Sequence, residues 1–144
     1  MTQTGSINHI SLSSSDYEQS KKFYGFLLVD LLGYKMVAET PHFTMWAHPS
    51  GVGICVSPGS KEPHHKTTPG LNHLAFNTAT HELIDEFYNK IVQFQEANKS
   101  TISASAILDK PALYPQYSEG YYAVFFTDPD GVKLELAFIP SYGH

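Results

Sequence analysis

Two histidines and one glutamate stand where their types and spacing could do chemistry. His9 lies in Ile7-Asn-His-Ile-Ser-Leu12, an alternating run that reads as a strand. His73 lies in Leu71-Asn-His-Leu-Ala-Phe76, which reads the same way. Glu135 sits between Leu134 and Leu136, in the second arm of a hairpin centred on Asp128-Pro-Asp-Gly131. A carboxylate in an apolar strand must be hydrogen-bonded, ion-paired or metal-bound, because burying it alone is very costly. Lys133, two residues away on the same face, is one available partner. A lone strand histidine is ordinarily a packing or surface residue. Two at matching positions, with a glutamate facing the same way, suit a divalent first-row metal ion with open coordination positions.

The elements that must position these groups can be read in order. Residues 1 to 5 form a polar tail. Period two puts Ile7, His9 and Ser11 on one face of the first strand, and Asn8, Ile10 and Leu12 on the other. Ser13 to Ser15 halts it, and Ser15 with Glu18 has capping-box spacing. Tyr17, Tyr24, Leu27, Leu28 and Leu31 then recur at helical spacing, with Gly33 as the stop. Strands are expected over 34–39, 43–47 and 52–56, the last two joined by a turn at His48-Pro-Ser-Gly51. Residues 59–69 read as a linker. After the strand of His73, Thr80 opens a helix carrying Ile84, Phe87, Tyr88, Ile91 and Phe94 on one face. Residues 101–108 are a strand candidate, and 109–119 read as a loop bearing Pro111, Tyr114, Pro115 and Tyr117. The hairpin follows.

The second half restates the first. His9 and His73 are 64 residues apart, as are Phe23 and Phe87. Gly51 and Gly131 are 80 apart, so the insertion lies mostly in the Tyr- and Pro-rich loop. Each half reads βαβββ. The fold class is therefore α+β, two tandem βαβββ modules forming a curved mixed sheet with helices outside. The chain is one domain, with module 1 over about 6–58, the linker over 59–69 and module 2 over about 70–140. The repeat counterpart of Glu135 is Cys55. In each case the strand neighbours are apolar and belong under the helices, so His9, His73, Glu135 and Cys55 share the inner face.

On Asn8-His9, Asn72-His73 and the run from Gly120 to Glu135, the chain resembles the vicinal oxygen chelate superfamily. That group comprises the glyoxalase, bleomycin-resistance, fosfomycin-resistance and extradiol dioxygenase proteins. The resemblance covers nearly the whole chain. It implies that His9, His73 and Glu135 ligate a divalent ion (Zn, Ni, Mn or Fe(II)), and that a small substrate chelates the ion through two oxygens. Lyase, thiol-transferase and dioxygenase chemistry are the implied reaction types, and metal-free sequestering of a small molecule is the alternative. It also implies that the curved mixed sheet is a half-barrel, and that the protein is a homodimer. Glyoxalase I-like members carry a fourth, carboxylate ligand where this chain has Cys55. A three-ligand set looks more like the fosfomycin-resistance and dioxygenase branches. Ser118-Glu119-Gly120 echoes the former, although no basic residue follows Glu135. Tyr121 and Tyr122, with Glu135, are candidates for catalytic proton transfer. Ser11, Cys55, Tyr114 and Tyr117 are candidates for lining the substrate cavity.

Bulk properties narrow the partners. With nine Lys and Arg, a formal charge of −5 and no basic run, no nucleic-acid partner is expected. No apolar stretch is long enough for a membrane span and no secretory leader opens the chain. The single cysteine, Cys55, excludes an internal disulfide, and the expectation is a cytoplasmic protein. His42, His48, His64, His65, His81 and His144 fall in turns, linker, helix start and tail, and read as solvated.

Overall fold

Both helices form because an apolar stripe repeats at helical spacing and a polar cap starts each. In the computed structural model, which describes residues 4–102 and 104–142, α1 spans Tyr17–Tyr24 and α2 spans His81–Ala97. Asp16 caps α1, its carboxylate accepting from the Gln19 amide at 3.1 Å. The cap falls on Asp16 rather than on the expected Ser15. The preceding strand runs on to Ser14, whose buried hydroxyl bonds to the Ser57 carbonyl instead of halting it. α1 continues as a π-helical segment, Gly25–Leu31. Ser20, Phe23, Tyr24, Leu27, Leu28 and Leu31 are all buried along one side. Leu27 and Leu28 are fully covered, each contributing about 2 kcal/mol by burial. Gly33 ends the segment with φ +76°, a conformation only glycine adopts without strain. Thr80 caps α2 through its hydroxyl, 3.1 Å from the Leu83 amide.

The strands form one four-stranded mixed sheet per module, with the same topology. The first unit contains β1 (His9–Ser14), β2 (Lys35–Glu39), β3 (Thr44–Ala47) and β4 (Gly53–Pro58), in the order β1-β4-β3-β2. The second contains β5 (Leu74–Asn77), β6 (Ile107–Leu113), β7 (Tyr122–Thr127) and β8 (Lys133–Phe138), in the order β5-β8-β7-β6. In each, the first and last strands pair parallel and the rest antiparallel. The division between the two compact units falls between Glu62 and Pro63. The α+β class and the paired βαβββ modules agree with the sequence expectation. No helix among the described residues is long and apolar enough to cross a membrane. His144 and residues 1–3 lie outside the described residues.

Two expectations in the second module change. The strand read at 101–108 is instead β6, Ile107–Leu113, which takes in part of the supposed loop. Pro111 ordinarily argues against a strand. It is tolerated because β6 is an edge strand whose ladder breaks at two irregularities, between Ile107 and Asp109 and between Asp109 and Ala112. Ser103 lies outside the described residues. β5 also starts later than expected, so His73 immediately precedes the strand.

The core of the second unit lies between α2 and its sheet. Ile84 and Ile91 of α2 are buried, as are Val124, Phe126, Leu134 and Leu136 of the central strands. Those four alternate with Ala123, Phe125, Glu135 and Ala137, which are buried too. The central strands are thus covered on both faces, and the face away from α2 carries the glutamate.

Candidate functional site

Register brings the second unit's groups together. In β7–β8 pairing, Phe125 stands opposite Glu135 and Ala123 opposite Ala137. In the parallel β5–β8 pairing, Ala75 stands beside Glu135. Period two then aligns His73 and Tyr121, which flank these strands, with the same face. The side chains meet there. His73 Nε2 is 3.1 Å from Glu135 Oε2. The Tyr121 hydroxyl donates to Glu135 Oε1. Glu135 is 1% exposed, while the His73 side chain is 37% exposed. The carboxylate is therefore shielded from solvent, while the imidazole beside it is not. Lys133 is not its partner: the ammonium lies over the Phe125 ring, 4.5 Å from its centroid.

The imidazole is locked from behind. Its Nδ1 is 2.7 Å from the Asn72 side-chain carbonyl. The Asn72 amide nitrogen donates to the Lys66 carbonyl at 3.4 Å, which fixes which end of the amide faces the ring. Nδ1 is then the donor, and Nε2, when it carries no proton, turns a lone pair to a carboxylate oxygen that also offers only lone pairs. Two acceptors 3.1 Å apart repel unless a cation lies with them, either a proton on Nε2 or a metal ion. Nitrogen and oxygen donors each about 2.1 Å from a common first-row ion lie roughly 3 Å apart, so the pair fits such an ion. An outer carbonyl holding the far nitrogen of the ring is the usual support for a metal-ligating histidine. Among the described residues, no group of three or more His, Cys, Asp and Glu side chains assembles as a ready metal cage.

The first unit repeats the arrangement in part. His9 opens β1, and its Nδ1 is 2.8 Å from the Asn8 side-chain carbonyl. Ser11 pairs with Cys55, and Cys55 with Met45, as Ala75 and Phe125 pair with Glu135. Cys55 is buried and has a free thiol. Gly53, the register partner of His9, leaves room that a Cβ would take from the Met45 side chain and the His9 Cβ.

The tyrosines divide between two faces. Tyr114 packs with Tyr121 against the cluster of Ala123, Phe125 and Ala137. Its ring stacks on Tyr117 at 5.5 Å and meets Phe125 edge-on at 5.4 Å. Burial raises the Tyr114 pKa, with Asp109, Tyr117 and Glu135 adding to the shift. Tyr122 faces the other way. Its hydroxyl donates to Asp85 of α2 at 2.6 Å, and that bond, with burial, pushes its pKa up to about 12. The structure therefore brings His73, Tyr121, Tyr114 and Glu135 together and leaves Tyr122 out. His81 is not simply solvated: its ring stacks on Tyr122 at 4.3 Å and its Nε2 is buried. His48 is built into the first hairpin turn, 3.1 Å from the Ser50 amide.

Sequence reasoning used Asn72 only as part of a dipeptide motif and did not assign Phe125 to the site. Both were within reach. Asn precedes His in both modules, and counting back from the Asp128-to-Gly131 turn pairs position 125 with 135.

Comparisons with known proteins agree with this architecture. Residues 6–136 match the model of the Glyoxalase/Bleomycin resistance protein/Dioxygenase superfamily. The Bacillus subtilis (strain 168) protein YqjT is 31% identical over 135 residues, 90% of this chain and 96% of that one. Metallothiol transferase FosB of Lysinibacillus sphaericus (strain C3-41) is 28% identical over 131 residues, 91% of this chain and 80% of that one. A solved Bacillus halodurans structure superposes with a TM-score of 0.74 at 23% identity, covering 94% of this chain and 97% of that one. With its paired βαβββ modules and a family match over nearly its full length, the chain belongs to the Glyoxalase/Bleomycin resistance protein/Dioxygenase superfamily.

Proposed function

We propose that this protein is a divalent-metal-dependent enzyme acting on a small substrate that offers two neighbouring oxygens, with His9, His73 and Glu135 as the ligand set. The observation that carries this is the His73–Glu135 pair, an imidazole nitrogen held by Asn72 and placed 3.1 Å from a buried carboxylate oxygen. His9 enters through the repeat, as the counterpart of His73 with the same asparagine behind it. When bound, such an ion supplies Lewis acidity to the substrate oxygens. The chain's own groups do the rest. Asn72 keeps the Nδ1 proton and frees Nε2. Ala123, Phe125 and Ala137 exclude water from the sides of Glu135. Tyr121 keeps its proton directed at Glu135 Oε1. Tyr114 and Tyr117 line the substrate side beside Glu135, and Ser11 and Cys55 are the first unit's candidates for contacting substrate. Homologues named metallothiol transferase favour the addition of a thiol to an activated substrate as the reaction type. The working form is a homodimer in the cytoplasm.

Metal analysis of untagged protein tests this directly. About one divalent ion per chain is expected, lost in both His73→Ala and Glu135→Ala; metal retained by both variants overturns the proposal. Zinc, nickel, manganese or ferrous iron would each select a branch of the superfamily. The aromatic face beside Glu135 supports a second reading, sequestering of a small molecule without turnover. Ligand affinity indifferent to a chelator would favour it.

A further inference from the structure

We infer that Tyr121 is a positioning residue that confines Glu135 to donation through a single oxygen, Oε2, and that the 114–121 loop exists to hold it there. This rests on the proposed metal site. Glu135 has two carboxylate oxygens with separate occupations: Oε1 accepts from the Tyr121 hydroxyl and Oε2 faces His73 Nε2. The carboxylate is 1% exposed, and the nearest walls on its face, Ala123, Phe125 and Ala137, carry no side-chain donor. Tyr121 is thus the polar group that fixes how the carboxylate is turned.

The phenol is itself held. The Tyr114 amide donates to the Tyr121 carbonyl at 2.8 Å, closing the loop at its base. The Tyr121 amide donates to the Ser118 carbonyl at 3.2 Å. The Tyr114 and Tyr117 rings meet the Tyr121 ring edge-on at 6.3 and 5.4 Å. The loop that interrupts the internal repeat is therefore a brace whose last residue reaches Glu135.

The consequence is chemical. A carboxylate ligating through both oxygens takes two coordination positions; through one, it takes one. A substrate chelating through two oxygens needs two open positions, and a co-reactant such as a thiol needs a third. By occupying Oε1, Tyr121 keeps that further position open.

The test uses the full chain loaded with Co2+, read by visible absorption, titrated affinity and carboxylate infrared bands. Tyr121→Phe keeps the ring packing and removes the hydroxyl. Its expected effects are a changed Co2+ spectrum, carboxylate bands shifted toward two-oxygen ligation and an affinity change of about 10-fold or more. Tyr122→Phe, which removes a hydroxyl bonded to Asp85 instead, should leave all three unchanged. Wild-type protein should give the infrared signature of one-oxygen ligation, a measurement that needs no variant. A two-oxygen signature in wild type, or a Tyr121→Phe spectrum and affinity equal to wild type, overturns the inference alone, provided Glu135→Ala abolishes the spectrum. Wild-type protein that takes up no Co2+, or a spectrum insensitive to Glu135→Ala, overturns the metal site and the inference together.

Discussion

Cys55 and Glu135 hold the same place in the two modules. Cys55 is paired with Ser11 on one side and Met45 on the other, and Glu135 with Ala75 and Phe125. Both are buried. The acid has a polar setting, with His73 and Tyr121 on its two oxygens, whereas the thiol has Met45 and Ser11 as its flanking strand partners. A small apolar side chain should therefore replace Cys55 at little cost. Cys55→Ala is expected to lose about 1 kcal/mol of stability and to keep the wild-type metal content. Urea unfolding and metal analysis on the same preparation check both halves; loss of metal would make Cys55 a ligand.

Asn72 should matter to metal binding without touching the metal. Asn72→Leu removes the carbonyl that takes the Nδ1 proton of His73, freeing the ring to turn and to change tautomer. Metal affinity is expected to fall 10- to 100-fold. Competition titration against a chromophoric chelator measures this, and an affinity within twofold of wild type would contradict it.

Removing the buried carboxylate strands its partners. Replacing a whole buried pair by apolar groups is often neutral, but removing one member leaves the other uncompensated. Metal-free Glu135→Leu is expected to lose about 1–3 kcal/mol relative to metal-free wild type, because the Tyr121 hydroxyl and His73 Nε2 lose their partner, while binding no metal. Denaturant midpoints in the presence of a chelator give the comparison.

The β7–β8 turn should be the most sensitive part of the hairpin. The buried Asp128 carboxylate accepts from the Asp130 and Val132 amides at 2.8 and 2.9 Å. Asp128→Ala strands both amides, with an expected loss of about 2 kcal/mol. Gly131 has φ +81°, so Gly131→Ala should cost about 1 kcal/mol through backbone strain alone. Thermal unfolding distinguishes the two by the additional loss in Asp128→Ala.

Tyr122 gives a pH dependence of known sign. Its pKa in the folded chain is raised to about 12, first by the hydrogen bond to Asp85 and then by burial. A raised pKa means the neutral phenol is favoured on folding. That stability is fully present below about pH 10, where the unfolded phenol begins to ionise, and is lost as pH rises toward 12. Tyr122→Phe should be less stable at pH 8 and lose part of the alkaline decline. Melting temperatures from pH 8 to 11.5 test it; parallel curves for the two proteins would contradict it.

Sequence alone determined the modules, the hairpin and the identity of the awkward acid. Those follow from local rules: period-two and helical apolar patterns, turn residues that demand special backbone angles, and a repeat that maps position 55 onto 135. It could not determine what Glu135 touches. Lys133 is two residues away and faces the same side, yet the tertiary structure sends its ammonium over Phe125 and gives the carboxylate to His73 and Tyr121. Nor could sequence divide Tyr121 from Tyr122, since neighbouring strand residues face opposite ways and only the packing of α2 fixes which face each takes. The edge strand β6 escaped for a related reason. Proline argues against a strand in general, but an edge with broken pairing leaves its missing N–H without consequence. Local chemistry set the elements, and the register between strands decided which side chains became one site.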